Sequence, residues 1–432
     1  MQIPELYKLY LQFPSIQTDT RKVKKGDIFF ALKGPHFNGN RFAEEALAKG
    51  AAYVVADELP ENTDIRIINV PDVLKALQDL ALYHRKSFLS IATGKEIPFI
   101  AVTGSNGKTT SKELIHAVLS TSYKTYTTEG NLNNHIGIPL TILKVKQDAE
   151  IAIIEMGANH QKEIEGYCRY TMPTHGIITN CGKAHLEGFG GEEGVRKGKG
   201  ELYDYLRQNK GTAFVMWDYD YLRQMSEGIP ARITYGTQNA DITGIVSESS
   251  GLLQVLITGG ADIGSVKTNL VGEYNLPNVL LAVAIGKYFK VPDEKIKLAL
   301  EHYQPSNSRS QLIEKDGNRI IMDAYNANPT SMKAAIENFA KMQGDNKILM
   351  LGGMMELGED SIKEHQKLID LINDFKWKEV VLVGGDFSKL SHHFSFFENS
   401  VLAAAWFKSM NLKDCNILIK GSRSTAMEKV LE

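Results

Sequence analysis

The chain has 432 residues, 43% of them hydrophobic and 23% charged, with a formal net charge of −2. Its length exceeds what one hydrophobic core organises, so two or three domains of ordinary globular composition are expected. Near-neutral charge excludes a general field for nucleic acid, no polybasic run marks a membrane surface, and no window has the apolar length that spans a bilayer.

The opening stretch MQIPELYKLYLQF has no basic n-region, long apolar core or cleavage site, so no secretion signal is expected and the location reads as cytoplasmic. Strands at 28–32, 53–56 and 65–70 and helices at 41–49 and 73–88 form a small α/β domain over 1–94. The turn Thr93, Gly94, Lys95 serves as its linker. An apolar strand then ends in Thr103-Gly104-Ser105-Asn106-Gly107-Lys108-Thr109-Thr110, and a helix over 111–123 follows. That order builds a phosphate cradle. Glycines let backbone N–H groups face an anion, and the helix N-terminus adds partial positive charge. Lys108 suits the β- and γ-phosphates, and the Thr109 hydroxyl suits Mg²⁺. The usual spacing has a glycine five positions before the second one, where Val102 stands, so this loop is a shortened one.

Further along, Asn133 and Asn134 lie in a polar stretch whose amides suit a phosphate or a reacting carboxylate, and equally suit a turn. Glu155 closes a strand at 151–156, where a carboxylate can bind a nucleotide's Mg²⁺ or simply end a strand. His185 follows a strand at 176–180; a lone histidine is more often a core or surface residue, but neutral imidazole can complete a metal site. Lys199 sits in a basic stretch that, from spacing alone, reads as a solvated face. A strand at 212–216 continues the alternation. Asn275 and Asn278 open an apolar helix and can cap it or hold an adenine. Alternating strands and helices over 95–303 argue for a mostly parallel sheet covered on both faces. The segment 304–308 marks a second boundary. Beyond it, strands at 320–323, 347–351, 380–383 and 416–420 recur, two of them ending in Gly-Gly, where an open α/β sheet keeps its crevice. The scattered Cys168, Cys181 and Cys415 read as reduced thiols.

Together these motifs resemble the Mur ligase family, ATP-dependent amide-bond ligases of peptidoglycan precursor synthesis. TGSNGKTT, EMGA, AHLEGFG, the GKGE around Lys199 and the Asn275/Asn278 pair occur in that family's order along the whole chain. The resemblance implies an α/β chain of three domains: a UDP-sugar-binding domain (1–94), a central P-loop domain (95–303) and a C-terminal Rossmann-like domain (304–432). The segments DAYNANPTSM, GMMELG with His365, and KGSR look like the member that adds D-alanyl-D-alanine to UDP-N-acetylmuramoyl-tripeptide.

By that resemblance, ATP is held by Gly104, Ser105, Asn106, Gly107, Lys108, Thr109, Thr110, Asn275, Asn278, Arg309, Asp323 and Lys347. Asp19, Thr20, Arg21, Lys33, Gly34, Asn133, Asn134, Asn326 and Asn328 contact the substrates. Lys108, Lys199, His185 and Glu155 are catalytic, and Thr109, Glu155, His185 and a carbamylated Lys199 hold Mg²⁺. The implied partners are the UDP-peptide and the dipeptide, without nucleic acid or membrane insertion, and a monomer is expected. Three departures stand out: Tyr274 where relatives carry His, Gly353 where a GDM triplet has Asp, and Gly198 where alanine is common, a small-for-small change expected to be harmless. Alternatives are another Mur ligase or a folylpolyglutamate synthase-like ligase, and, from a different class, a nucleotide-binding regulator without ligation. The joint presence of Glu155, His185 and Lys199 argues against the last, since a switch needs no second metal.

Overall fold

The computed structural model describes residues 1–59, 64–89, 96–248, 251–306 and 308–432. The expected linker at 93–95 and Asn307 of the second boundary lie outside the described residues. The chain separates into two compact units, Met1–Ala101 with Lys124–Gly157 and Glu163–His175, and Val102–Tyr123 with Ala158–Lys162 and Gly176–Glu432.

In the first unit, four parallel strands lie in the order Ile16–Gln17, Ile28–Phe30, Tyr53–Ala56 and Ile67–Asn69. Phe29, Ala31, Val54 and Ala56 form one core with Ala43, Ala46 and Leu47 of the helix Ala43–Ala48. The expected helix at 41–49 is shorter because Gly39–Phe42 winds as a 3₁₀ turn, in which Asn38 accepts the Asn40 N–H. The helix Val73–Lys86 starts at an Asp72 cap and buries Ala76, Leu77, Leu80 and Ala81, the i, i+4 stripe of an amphipathic helix. The same face buries Arg85, whose guanidinium lies 4.0 Å from the Phe99 ring centroid and donates to the Thr171 and Met172 carbonyls. Thr125–Thr127 pairs in parallel with Ile151–Glu155, a strand buried at every residue.

In the second unit, Thr212–Met216, Ala231–Gly236 and Ile242–Glu248 pair in parallel. Leu252–Gly259 and Ser265–Val271 continue antiparallel, a meander that the alternation with helices did not announce. The helix Leu276–Tyr288 buries apolar residues on every side, as a core helix must. The C-terminal sheet runs Gln311–Lys315, Asn318–Asp323, Asn416–Lys420, Lys347–Gly352, Glu379–Val383, Ser395–Phe397. Only its first pair is antiparallel. Residues alternating along these strands, Ile320 and Ile321 or Leu349 and Met350, are all buried, which requires cover on both faces. The parallel strands finish together at Asp323, Gly352, Val383 and Lys420, the edge where such a sheet keeps its ligand crevice. The expected mixed α/β class with parallel-rich sheets holds.

Candidate active site

The strand Phe99–Thr103 delivers the chain to the glycine loop, and the helix Lys108–Leu119 begins three residues before the expected start. Gly107, left-handed at φ 79°, caps that helix, and Gly104 also has positive φ, at 141°. A Cβ would meet Thr179 Oγ1 at 2.0 Å from position 104, and Asn278 Oδ1 at 2.8 Å from position 107. Both glycines are thus demanded by close approach as well as by dihedral angle. The segment after the strand His175–Ile178 braces the loop. Ser105 N–H donates to the Asn180 carbonyl at 2.9 Å, and Asn106 N–H to Asn180 Oδ1 at 3.0 Å. Asn180 Nδ2 and Thr179 Oγ1 donate to the Asn106 carbonyl at 3.1 and 2.6 Å. Lys108 Nζ folds over the loop and donates to the Gly104 and Ser105 carbonyls at 2.7 and 3.1 Å. Thr109 is buried behind it and Thr110 half-buried. A first helical turn directs N–H groups without an intrahelical acceptor out of the helix end, an arrangement that can receive an anion.

The two asparagines of the later helix lie beneath this cradle. Asn278 Oδ1 accepts from Ser111 Oγ at 2.9 Å, and its Nδ2 donates to Asn275 Oδ1 at 2.8 Å. Asn275 passes its own Nδ2–H to the Val271 carbonyl at 2.8 Å, and its side chain makes no helix cap.

Lys199, on the helix Glu192–Gln208, is not a solvated residue: it is 1% exposed, with Nζ donating to the Ala158 carbonyl at 3.0 Å and lying 4.9 Å from the Phe189 ring centroid. A Cβ at Gly198 would lie 2.4 Å from that ring, so the small-for-small change expected to be harmless is constrained by packing. Burial pushes the Cys181 thiol up to about 12, with the Lys199 and Arg196 charges opposing. His185 is left-handed at φ 53° and its Nδ1 is in contact with the carboxylate of Glu356, itself at φ 60°. The imidazole holds the Glu356 carboxyl below the usual range. In the first unit, Glu155 is 1% exposed and its Oε1 accepts from Asn133 Nδ2 at 2.8 Å. Asn134 Oδ1 accepts the N–H groups of Ile136 and Gly137 at 3.1 and 2.9 Å, an Asx turn leading into the helix Gly137–Lys144.

At the crevice edge of the C-terminal sheet, Asp323 accepts from buried Lys420 at 2.5 Å and from Ser310 N–H at 3.2 Å. Tyr274, its phenol pushed up by burial, reaches the same cluster through Ser310 Oγ at 3.0 Å. The Arg309 guanidinium stacks 3.5 Å from the Tyr325 ring centroid. Asn326 Oδ1 accepts the neighbouring Ala327 N–H at 2.9 Å. Asn328 caps the helix Pro329–Lys341 and donates from Nδ2 to Asn106 Oδ1 of the loop at 2.8 Å.

Three stretches of the sequence match one family: residues 12–85 the Mur ligase family catalytic domain, 102–286 the Mur ligase middle domain, and 308–423 the Mur ligase glutamate ligase domain. The UDP-N-acetylmuramoyl-tripeptide–D-alanyl-D-alanine ligase of Bacillus subtilis (strain 168) is 35% identical, covering 96% of this chain and 92% of that protein. The chain belongs to the Mur ligase family. Its structure is similar to that of MurF from Acinetobacter baumannii (TM-score 0.86, 30% identity, covering 96% of this chain and 92% of that one). It is also similar to the MurF ligase of Thermotoga maritima in complex with ADP (TM-score 0.84, 26% identity, covering 98% and 97%).

Within the second unit of this Mur ligase, the structure gathers Gly104 to Thr110, Asn275, Asn278 and Asn328 at the loop. Lys347 departs from expectation. It opens its strand opposite Asn416, at the end of the sheet away from Asp323, and its Nζ donates to the Ala340 carbonyl at 2.6 Å. The expectation rested on the family resemblance, and the strand begins at Lys347, at the opposite end of the sheet from the crevice edge. In the first unit, Asp19 accepts from the Arg21 backbone at 3.0 Å and pairs with its guanidinium at 2.8 Å, beside buried Thr20. Lys33, next to Gly34 in a two-residue strand, is neutralised by Asp57 at 3.1 Å and Glu58 at 3.3 Å. Sequence reasoning missed Thr179, Asn180 and Glu356 as site-building residues. Asn180 had a signal, an amide directly after an apolar strand, whereas Glu356 becomes visible only when its turn is folded.

Proposed function

We propose that this Mur ligase joins D-alanyl-D-alanine to UDP-N-acetylmuramoyl-tripeptide, converting ATP to ADP and phosphate, in peptidoglycan precursor synthesis. The observation that carries this reading is the end-to-end likeness to relatives named for that reaction. The Asn106–Asn328 bond agrees with it, since it ties the DAYNANPTSM segment to the phosphate loop. In the first step a tripeptide carboxylate oxygen attacks the γ-phosphorus and the bond to the bridging oxygen breaks, releasing ADP and leaving an acyl phosphate. The dipeptide amine then attacks the acyl carbon, loses a proton, and phosphate departs from the tetrahedral intermediate.

Two anions meet in the first step, so fixed cationic charge lowers its barrier. Lys108 leaves its loop carbonyls to hold the β- and γ-phosphates, which take over its hydrogen bonds. The described residues contain no cluster of three or more His, Cys, Asp or Glu suited to a metal. Thr109 offers a hydroxyl and Glu155 a carboxylate, the oxygen donors that Mg²⁺ takes alongside phosphate and water, and in this reading both would serve it. The ion would supply positive charge against the phosphates. His185 and Lys199 would hold a second ion, the lysine once its ammonium has released a proton and the free amine has added CO₂ and shed a second proton to become a carbamate. A buried ammonium is costly, and carbamate formation turns it into an oxygen ligand.

Gly104 to Thr110, Asn275, Asn278, Arg309 and Asp323 bind ATP in this reading. Asp19, Thr20, Arg21, Lys33, Gly34, Asn133 and Asn134 face the UDP-peptide, and Asn326 and Asn328 face the dipeptide. The functional domains are 1–94, 95–303 and 304–432, and the protein acts as a cytoplasmic monomer. Release of ADP that requires ATP, UDP-peptide and D-alanyl-D-alanine together tests the proposal. ADP release indifferent to the dipeptide would overturn it.

A further inference from the structure

The turn between the strand Lys347–Gly352 and the helix Ser361–Asn373 carries Glu356 to His185, and one buried side chain holds that turn. His365 is 0% exposed. Its Nε2 lies 3.0 Å from the Met354 N–H, and its Nδ1 lies 2.8 Å from the Ser361 carbonyl. A backbone N–H only donates and a carbonyl only accepts, so the ring is neutral with its proton on Nδ1. Around it stand the Phe387 ring, edge-on at 4.8 Å between centroids, and Asp386, which accepts from Ser361 Oγ at 2.5 Å and pairs with Lys389 at 2.7 Å. Burial pushes the imidazole pKa down against the opposing pull of the Ser361 carbonyl and Asp386.

The turn has little freedom besides. A Cβ on Gly353 would lie 2.5 Å from the Gly385 Cα, so this chain has no room for the aspartate of the GDM triplet. Two residues after Met354, Glu356 adopts the left-handed conformation that only surrounding structure can impose on a non-glycine residue. Its carboxylate there meets His185.

We propose that His365 is a positioning residue for ligation: by accepting the Met354 N–H it fixes the 353–358 turn and so sets Glu356 against His185. The inference rests on the reading of His185 as a site residue. Two substitutions separate the two bonds of the ring. In His365→Gln the amide oxygen reaches the place of Nε2 and still accepts from Met354. In His365→Asn the amide reaches only the place of Nδ1, so the Ser361 bond survives and the Met354 bond is lost. We expect His365→Asn to lower the kcat of dipeptide-dependent ADP release about 10- to 100-fold, the scale of a small misplacement of catalytic groups, with His365→Gln recovering most of it. Combined with Glu356→Gln, His365→Asn should cost no more than the worse single change, because both act through one contact.

Equal activity of the two His365 variants, or losses that multiply in the double variant, would overturn the inference. Nitrogen NMR of the labelled wild-type imidazole reads the tautomer without any variant or substrate. A neutral ring protonated on Nδ1 supports the proposal, and a cation or an Nε2-protonated ring at neutral pH refutes it. A wild type without dipeptide-dependent ADP release overturns the ligase reading, and the inference with it. An active wild type with equivalent variants overturns the inference alone.

Discussion

Asn328 donates from Nδ2 to Asn106 Oδ1 at 2.8 Å, although 222 positions separate them in the sequence. The bond joins the start of a helix after a C-terminal sheet strand to the tip of the phosphate loop. Asn328 holds both places, since its Oδ1 also accepts the Ser331 N–H at 2.9 Å as a helix cap.

The two roles separate by substitution. Asn328→Ser keeps a good cap and is too short for Asn106, whereas Asn328→Ala loses both. We expect the alanine variant alone to lose about 1 kcal/mol of stability, the worth of a cap. Both should lower kcat/KM for ATP about three- to tenfold, the range of one neutral hydrogen bond. Urea midpoints and steady-state rates check the pair, and a fully active serine variant would show the loop contact to be idle.

Lys108→Ala should leave the fold intact and nearly abolish ligation. The ammonium rests on two loop carbonyls in this structure, but nothing replaces it on a transferring phosphoryl group. Removing a preorganised charge partner of this kind costs about 10²- to 10³-fold in kcat. Turnover near that of wild type would refute the phosphate-loop assignment.

The strand–glycine loop–helix unit at 99–119 was legible because it is local: strand, glycines, lysine and helix start lie within about a dozen residues and each carries its own physical signature. Even there the helix start was set three residues late, since Gly107 as a left-handed cap lets the helix begin at Lys108. Lys199 was illegible from spacing, because a charged run such as Arg196-Lys197-Gly198-Lys199 has the same composition whether it is solvated or turned inward. Only tertiary packing against Phe189 and Ala158 decides. Lys347 shows the converse failure, where the strand and its start were right and the place on the nucleotide side, taken from the resemblance, was not. The antiparallel meander over 242–271 escaped because short alternating strands among helices look like further parallel units until their pairing is known.

Lys199→Ala should lose most activity, and formate or acetate should restore part of it by occupying the place of a carbamate. Intact mass measured under CO₂ provides the independent readout. An active enzyme whose Lys199 carries no added CO₂ would refute the modification.

Arg21→Ala should raise the KM for the UDP-peptide far more than it lowers kcat, the signature of lost uniform binding. Arg21 and Asp19 form a local exposed pair, so the chemistry itself should persist. A selective rise in the KM for ATP would show that the first domain has been given the wrong ligand.

The last prediction concerns acid stability and its sign. His175 begins a buried strand beside Thr174 Oγ1 at 2.8 Å, and burial pushes its pKa down to about 4 from an ordinary 6.5. Between those values the unfolded chain takes up a proton that the folded chain refuses. Stability is therefore full above the ordinary value, falls as pH drops through the window, and levels off below the folded value. The shift corresponds to about 3 kcal/mol. Buried His84 and His365 are displaced in the same direction and act with the same sign. His175→Gln should thus lose less stability than wild type on moving from neutral to mildly acidic pH, whatever its stability at neutral pH. Urea unfolding at both pH values measures the difference of differences, and equal losses in the two proteins would place the acid sensitivity elsewhere.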